Sequence, residues 1–322
     1  MDILFIGGTG FFGKAFLNFI KLNPSNINSI TIVGRSAEIF IEHNKEFAEL
    51  NNIKFVYGDI LNDLSQLKGN NYSHIIHAAA DSTNVLNLSY LDRYKQIVEG
   101  TINVLEFIKD HLPESKLLFI SSGGVYGEMP SNIESFSETD MWKSNILDSS
   151  NVYTMAKRTA EHLCSLYYDE YNLNISIARC FCFSGIHLPL NVHFAIGNFV
   201  KDVLENKNII IKSDGKSVRS YLDQDDLSEW ILEILMKDSF KKTLYNIGSD
   251  ESITISDLAY LVRDISKKSI DIDILNESEF NIKRSVYVPS CKKIKDKFNL
   301  TQKVSLSESI LKMISHNSLH RL

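Results

Sequence analysis

The chain has 322 residues, 44% of them hydrophobic and 23% charged, and carries a net charge of −6 at pH 7. That length suits one large α/β domain with an appended smaller part, or two domains, with a core that needs no covalent staples. With no basic tract and no long block of one sign, a nucleic-acid partner is not expected, and any phosphate must be held by a few placed cations. No apolar stretch is long enough to cross a bilayer as a helix, and Met1 runs straight into a strand-like segment without a leader, so the expectation is a cytoplasmic protein with no membrane partner. Cys164, Cys180, Cys182 and Cys291 show no metal-ligand spacing. Cys180 and Cys182 alternate within an apolar run, which predicts packing residues on one face of a strand.

In chain order, Asp2–Ile6, Ser29–Val33, Ile53–Tyr57, His74–His77, Lys116–Ile120 and Ile175–Ala178 read as strands. Helical patterns lie between them at Phe11–Leu22, Leu86–His111 and Asn151–Tyr171. Near-continuous apolar strands separated by helices indicate a parallel sheet covered on both faces, a Rossmann-type doubly wound α/β fold. The second half is less regular, with strand-like runs at Asn208–Ile211, Thr243–Ile247 and Ile270–Leu275. The expected division is a dinucleotide-binding domain over 1–183, to which 222–247 returns. A smaller, interleaved substrate-binding region would cover 184–221 and 248–322.

The run Phe5–Gly13 reads Phe-Ile-Gly-Gly-Thr-Gly-Phe-Phe-Gly, with Gly7, Gly10 and Gly13 three apart between the first strand and the first helix. Glycines in that context permit a tight turn, let the backbone approach a pyrophosphate and let helix pack on strand. Gly7, Thr9, Gly10, Phe11, Phe12 and Gly13 are therefore predicted cofactor-binding residues. The second strand ends in Gly34-Arg35-Ser36, where an NAD enzyme usually has a carboxylate for the ribose 2′-hydroxyl. A guanidinium and a hydroxyl suit a 2′-phosphate, so Arg35 and Ser36 favour NADP over NAD. Asp59 and Ile60 follow the third strand and can flank the adenine. Ala78, Ala79 and Ala80 end the fourth and leave room for the nicotinamide half.

Ser121 to Gly127 reads Ser-Ser-Gly-Gly-Val-Tyr-Gly at the end of the fifth strand, with hydroxyls and no carboxylate. Tyr153 and Lys157 fall at i and i+4 on the helix that follows this loop. An ammonium near a phenol lowers its pKa, and Ser122 can hydrogen-bond the oxygen being reduced or oxidised. These three are the candidate catalytic residues; Tyr153 and Lys157 also face the cofactor. No metal site is expected.

The chain resembles the extended short-chain dehydrogenase/reductases, in the NAD-dependent epimerase/dehydratase family that modifies nucleotide sugars. The resemblance rests on the glycine loop, Gly58-Asp-Ile60, His77-Ala-Ala-Ala80, Gly100-Thr-Ile-Asn-Val-Leu105 and Ser121 to Gly127. It continues through Tyr153-x-x-x-Lys157, Arg219-x-Tyr221-x-x-x-Asp225, Tyr245-Asn-Ile-Gly248, and Arg284 near Tyr287-x-Pro289. It implies that Arg219 and Arg284 contact a nucleotide diphosphate, and that Gly123, Gly124, Cys182 and Asn198 line the sugar site. It also implies a homodimer in which Leu86–His111 and Asn151–Tyr171 form a four-helix interface.

Departures narrow the chemistry. Family 4,6-dehydratases carry Asp and Glu where Gly123 and Gly124 stand, and glycine has no side chain to move the protons of a dehydration. Ile97 and Cys182 replace family asparagines. Ser, Tyr and Lys without a carboxylate can pass a hydride and a proton. The expectation is NADPH-dependent reduction of the 4-keto group of a nucleotide-activated (6-deoxy)hexose for surface polysaccharide. The alternatives are a nucleotide-sugar 4-epimerase using the same residues and, more remotely, a non-catalytic NADP-binding regulator.

Overall fold

The computed structural model describes residues 1–23, 26–62, 64–80, 88–129, 133–275 and 285–319. Among them, no helix is long and apolar enough to cross a membrane. The chain divides into two compact units, one of Met1–Gly127, Lys143–Cys180 and Ile231–Tyr245, the other of Glu128–Trp142, Phe181–Trp230 and Asn246–Leu322. Glu128–Trp142 thus groups with the second unit, although it falls within the span 1–183.

The first unit is built on a seven-stranded sheet: β1 (Asp2–Ile6), β2 (Ser29–Gly34), β3 (Ile53–Tyr57), β4 (His74–His77), β5 (Lys116–Ser122), β6 (Asn174–Cys180) and β7 (Lys241–Ile247). Their order is β7-β6-β5-β4-β1-β2-β3. The pairs from β3 through to β6 are all parallel. The strand order reverses between β1 and β4, and in open α/β sheets a crevice opens at the carboxyl ends beside such a reversal.

Burial of both sheet faces explains the unbroken apolar strands. Leu4, Ile6, Ile75, Leu117, Phe119, Ile175 and Ile177 share one core cluster with Val104, Leu105 and Ile108 of the Tyr90–His111 helix and with Ala156, Ala160 and Cys164 of the Val152–Tyr171 helix. The alternate residues Ile3, Phe5, Ile76 and Leu118 are buried as well. Phe5 meets Phe16 of the Phe11–Leu22 helix edge-on, with ring centroids 5.9 Å apart.

The Tyr90–His111 helix starts where Ser89 accepts a hydrogen bond from the Asp92 amide, 3.0 Å away, a side-chain N-cap. The remaining residues of the expected Leu86 start, up to Asn87, lie outside the described residues. The Val152–Tyr171 helix ends at Asn172, whose φ of 57° is the left-handed conformation that asparagine tolerates.

In the second unit, Phe183–Ser184 pairs in parallel with Leu222–Asp223. Val218–Ser220 pairs with both Ser252–Thr254 and Val286–Tyr287. Ile209–Ile211 pairs with Ile272–Ile274, a shorter strand than the run Ile270–Leu275 predicts. Cys180 and Cys182 do not share a strand face. The strand β6 stops at Cys180, and the Cys182 carbonyl instead accepts from the Leu222 amide at 3.1 Å.

Candidate functional site

The loop after β1 shows why glycine occupies its first position. Gly7 has a φ of +85°, and a Cβ there would lie 2.5 Å from the Ala79 amide nitrogen. Its own amide donates to the Val33 carbonyl, 2.8 Å away, so loop, β2 and the Ala78–Ala80 segment are locked together. Gly13 lets the helix sit on the loop, since a Cβ would come within 1.7 Å of the Gly8 carbonyl oxygen. Gly10 differs: a Cβ would meet nothing closer than the Gly7 carbonyl oxygen at 3.8 Å. The space beside it belongs to a crevice lined by Gly7, Thr9, Gly10, Gly34, Arg35, Ser36, Asp59, Ile60 and Ala78–Ala80.

The Phe11–Leu22 helix begins at this crevice with Gly10 as N-cap, no side chain capping it and no carboxylate in its first turn. Its first amides and the positive end of its dipole are therefore suited to a phosphate. Phe11 and Phe12 stand half-buried beside it, their rings edge-on at 5.7 Å. At the β2 end, Arg35 and Ser36 are exposed, and the Ser36 hydroxyl donates to Thr9 Oγ1 at 3.2 Å. Ile60 is fixed by Asn103, whose amide donates to the Ile60 carbonyl at 2.9 Å. Asp59 accepts from the Leu61 amide at 3.1 Å. Gln96, buried on the Tyr90–His111 helix, also lines the crevice. No motif marks it in the sequence.

Ser122, Tyr153 and Lys157 are brought together in the same unit. Ser122 Oγ accepts from the Gly124 amide at 3.1 Å and shares a hydrogen bond with Tyr153. Thr154 Oγ1 donates to the Gly124 carbonyl at 3.2 Å, so the Gly123–Tyr126 turn is held against the first turn of the Tyr153 helix. A Cβ on Gly124 would sit 3.4 Å from Ser122 Oγ and 3.6 Å from Thr154 Oγ1, which is ordinary contact. Sterics therefore do not demand glycine at this position.

Lys157 is 3% exposed. Its ammonium donates to the Ile120 carbonyl at 2.8 Å and lies 4.8 Å from the centre of the Phe119 ring. Burial pulls its pKa down to about 8, against smaller upward pulls from Cys180, Glu161 and Cys164. Tyr153 departs from the sequence expectation. Burial pushes its phenol up to about 12, outweighing the Ser122 hydrogen bond and the Arg93 guanidinium, which pull the other way. Desolvation of the phenolate wins over the nearby cation.

Behind these residues lies a buried ion pair. Glu161 accepts from Arg179 Nε at 3.0 Å and Nη2 at 2.7 Å, and from the Ser121 hydroxyl at 2.5 Å. It ties the ends of β5 and β6 to the helix that carries Tyr153 and Lys157. Arg158 adds a second tie, donating from Nε to the Val125 carbonyl at 2.6 Å.

In the second unit, Arg219 Nη1 donates to the Val218 carbonyl at 2.8 Å and the Ser285 carbonyl at 3.2 Å, and its guanidinium lies 5.9 Å from the centre of the Tyr287 ring. Cys182 is half-buried, and burial pushes its thiol up to about 11 against the pull of Arg219. Asn198 is half-buried in the Ala195–Leu204 helix. Arg284 lies outside the described residues. Among the described residues, no group of three His, Cys, Asp or Glu side chains is placed to hold a metal.

The model of the NAD dependent epimerase/dehydratase family matches residues 3–248. A dTDP-D-glucose 4,6-dehydratase of Dictyostelium discoideum is 31% identical over 292 residues, which cover 84% of this chain but 62% of that protein. CDP-paratose 2-epimerase of Salmonella typhi is 25% identical over 342 residues, covering 99% of both. The crystal structure of dTDP-glucose 4,6-dehydratase from Bacillus anthracis, in complex with NAD, has the same fold. It superposes with a TM-score of 0.84 at 24% identity, over 98% of this chain and 96% of that one.

Proposed function

The chain belongs to the NAD dependent epimerase/dehydratase family, and from that premise we propose that it reduces the 4-keto group of a nucleotide-activated hexose with NADPH, in the making of a surface polysaccharide. The observation that carries this reading is the half-buried Tyr153 phenol, hydrogen-bonded to the Ser122 hydroxyl beside two glycines, with no carboxylate in the Ser121–Gly127 loop. The residues fit a dinucleotide: the uncapped helix end and the open space at Gly10 suit its phosphates, and Arg35 with Ser36 suits a 2′-phosphate.

When bound in reduced form, the cofactor supplies the hydride that the carbonyl carbon takes up. The chain supplies the rest. Ser122 donates a hydrogen bond to the carbonyl oxygen and orients it. Tyr153 gives that oxygen its proton, and the resulting phenolate recovers one from solvent. Lys157 holds the cofactor ribose and stabilises the phenolate while it lasts. Arg219 and Arg284 are assigned to the diphosphate of the substrate, and Cys182 and Asn198 to the sugar side.

The second reading is a 4-epimerase, in which the hydride leaves the sugar and returns to its other face. That reaction uses the same Ser122, Tyr153 and Lys157, with Tyr153 first taking a proton and then returning it.

The test is incubation with NADPH and a panel of nucleotide-activated 4-keto-6-deoxyhexoses, following NADPH absorbance and the product by NMR. One NADPH consumed per hydroxyl formed is expected. Interconversion of 4-hydroxy epimers without net NADPH use would overturn the reading in favour of the epimerase. Arg35→Ala should abolish most of an NADP-over-NAD preference of about tenfold, roughly 1.4 kcal/mol, by weakening NADP alone.

A further inference from the structure

The first turns of the Tyr90–His111 and Val152–Tyr171 helices bring a second cation to the phenol. Arg93 is half-buried, and its guanidinium carbon lies 5.5 Å from the centre of the Tyr153 ring. The two helices also meet at the next residue, where Tyr94 Oη and Thr159 Oγ1 are 3.3 Å apart. Neither sequence motif nor proposed chemistry accounts for a cation at this position.

We infer that Arg93 is a positioning residue for proton transfer: its guanidinium, set over the Tyr153 ring, fixes the ring and stabilises the negative charge the phenol acquires on giving up its proton. This deepens the reading of Tyr153 as donor and rests on it. A guanidinium is attracted to the face of an aromatic ring, and the attraction grows when that ring carries a full negative charge. The groups facing Tyr153 divide by element. Ser122 comes from β5, Lys157 follows one turn on in its own helix, and Cys180 comes from β6 with a thiol that burial keeps protonated. Arg93 is the cation supplied by the neighbouring helix. Burial makes the phenolate costly to form, so a cation in place beforehand lowers that cost without any rearrangement during the reaction.

The test places 3,5-difluorotyrosine at position 153, which brings ionisation into an accessible pH range and gives fluorine NMR signals from that residue alone in the NADP-loaded protein. Arg93→Met should raise its midpoint by about 0.4 to 1.5 pH units, and Arg93→Lys by less. In the unlabelled protein, Arg93→Met should slow single-turnover reduction by about 3- to 30-fold, and should add nothing to Tyr153→Phe. If Arg93→Met loses its near-ultraviolet circular dichroism, Arg93→Gln takes its place in the same comparison. Midpoints within about 0.2 units of the parent in both neutral variants would reduce Arg93 to a packing residue. A raised midpoint in a protein that consumes no keto sugar would sink the reduction reading and leave the Arg93 assignment standing.

Discussion

Substituting Lys157 and varying pH together tests whether its charge holds the cofactor. Lys157 is buried against the Ile120 carbonyl and the Phe119 ring, and desolvation holds its pKa at about 8, below its ordinary 10.5. The ammonium is the form that contacts the cofactor ribose in the proposed arrangement. A group titrating at about 8 is roughly nine-tenths charged at pH 7 and about one-eleventh charged at pH 9. If binding requires the charged form, NADPH affinity should fall about tenfold between those pH values, or roughly 1.4 kcal/mol. The fall should occur as pH rises, because the depressed pKa lies inside the window. Fluorescence titration of NADPH at several pH values measures it directly. Above pH 7 a 2′-phosphate is already at least about nine-tenths ionised, so its titration changes the slope little. Lys157→Met should bind weakly at every pH, with a flat profile. An affinity at pH 9 within about twofold of that at pH 7, or an equal slope in Lys157→Met, would refute the assignment.

Tyr153→Phe removes the proposed proton donor and leaves the ring in place, so the reduction rate should drop by about 10²- to 10⁴-fold while NADPH affinity changes little; retention of half the native single-turnover rate would mean the proton comes from elsewhere. His77 is buried, 3.4 Å from Thr101 Oγ1, and burial followed by the Lys157 charge holds its pKa down to about 3. The unfolded chain takes up a proton near pH 6.5 that the folded one refuses, so stability is lost as pH falls below that value, by on the order of 2 kcal/mol at pH 5. His77→Gln should shed that share of the acid sensitivity, read as the difference in melting temperature between pH 7.5 and pH 5; an unchanged difference would rule out His77 as its source.

The parts of the site that the backbone dictates are legible in the sequence. A loop that must turn at positive φ beside Ala79, and a helix that must touch Gly8, leave glycines at fixed spacing. Tyr153 and Lys157 are legible because one helix fixes their separation. Gln96 and Arg93 are not, since the crevice one lines and the Tyr153 ring the other lies over are built from residues far away in the chain, and neither carries a local pattern. The direction of the Tyr153 shift is hidden for a related reason: Lys157 is visible at i+4, while the desolvation that outweighs the Ser122 hydrogen bond and the Arg93 charge depends on the folded surroundings. Cys180 and Cys182 alternate as strand residues do, but the chain leaves β6 between them for a new pairing with Leu222. In the second unit, strands of two residues such as Phe183–Ser184 and Leu222–Asp223 are too short to leave a periodic trace.

The Ser121–Glu161–Arg179 tie separates two duties, holding the frame and lining the reacting centre. It clamps the strand ends and the helix into a fixed frame, and takes no part in the turn at Gly123 and Gly124 just beyond. A side chain can be added at Gly124 without displacing backbone or the Ser122 hydroxyl. The frame can therefore stay constant while Gly124 changes, so a new side chain can enter beside Ser122 at a position that costs the fold little. Engineering of new chemistry would start there, with Glu161 and Arg179 left untouched.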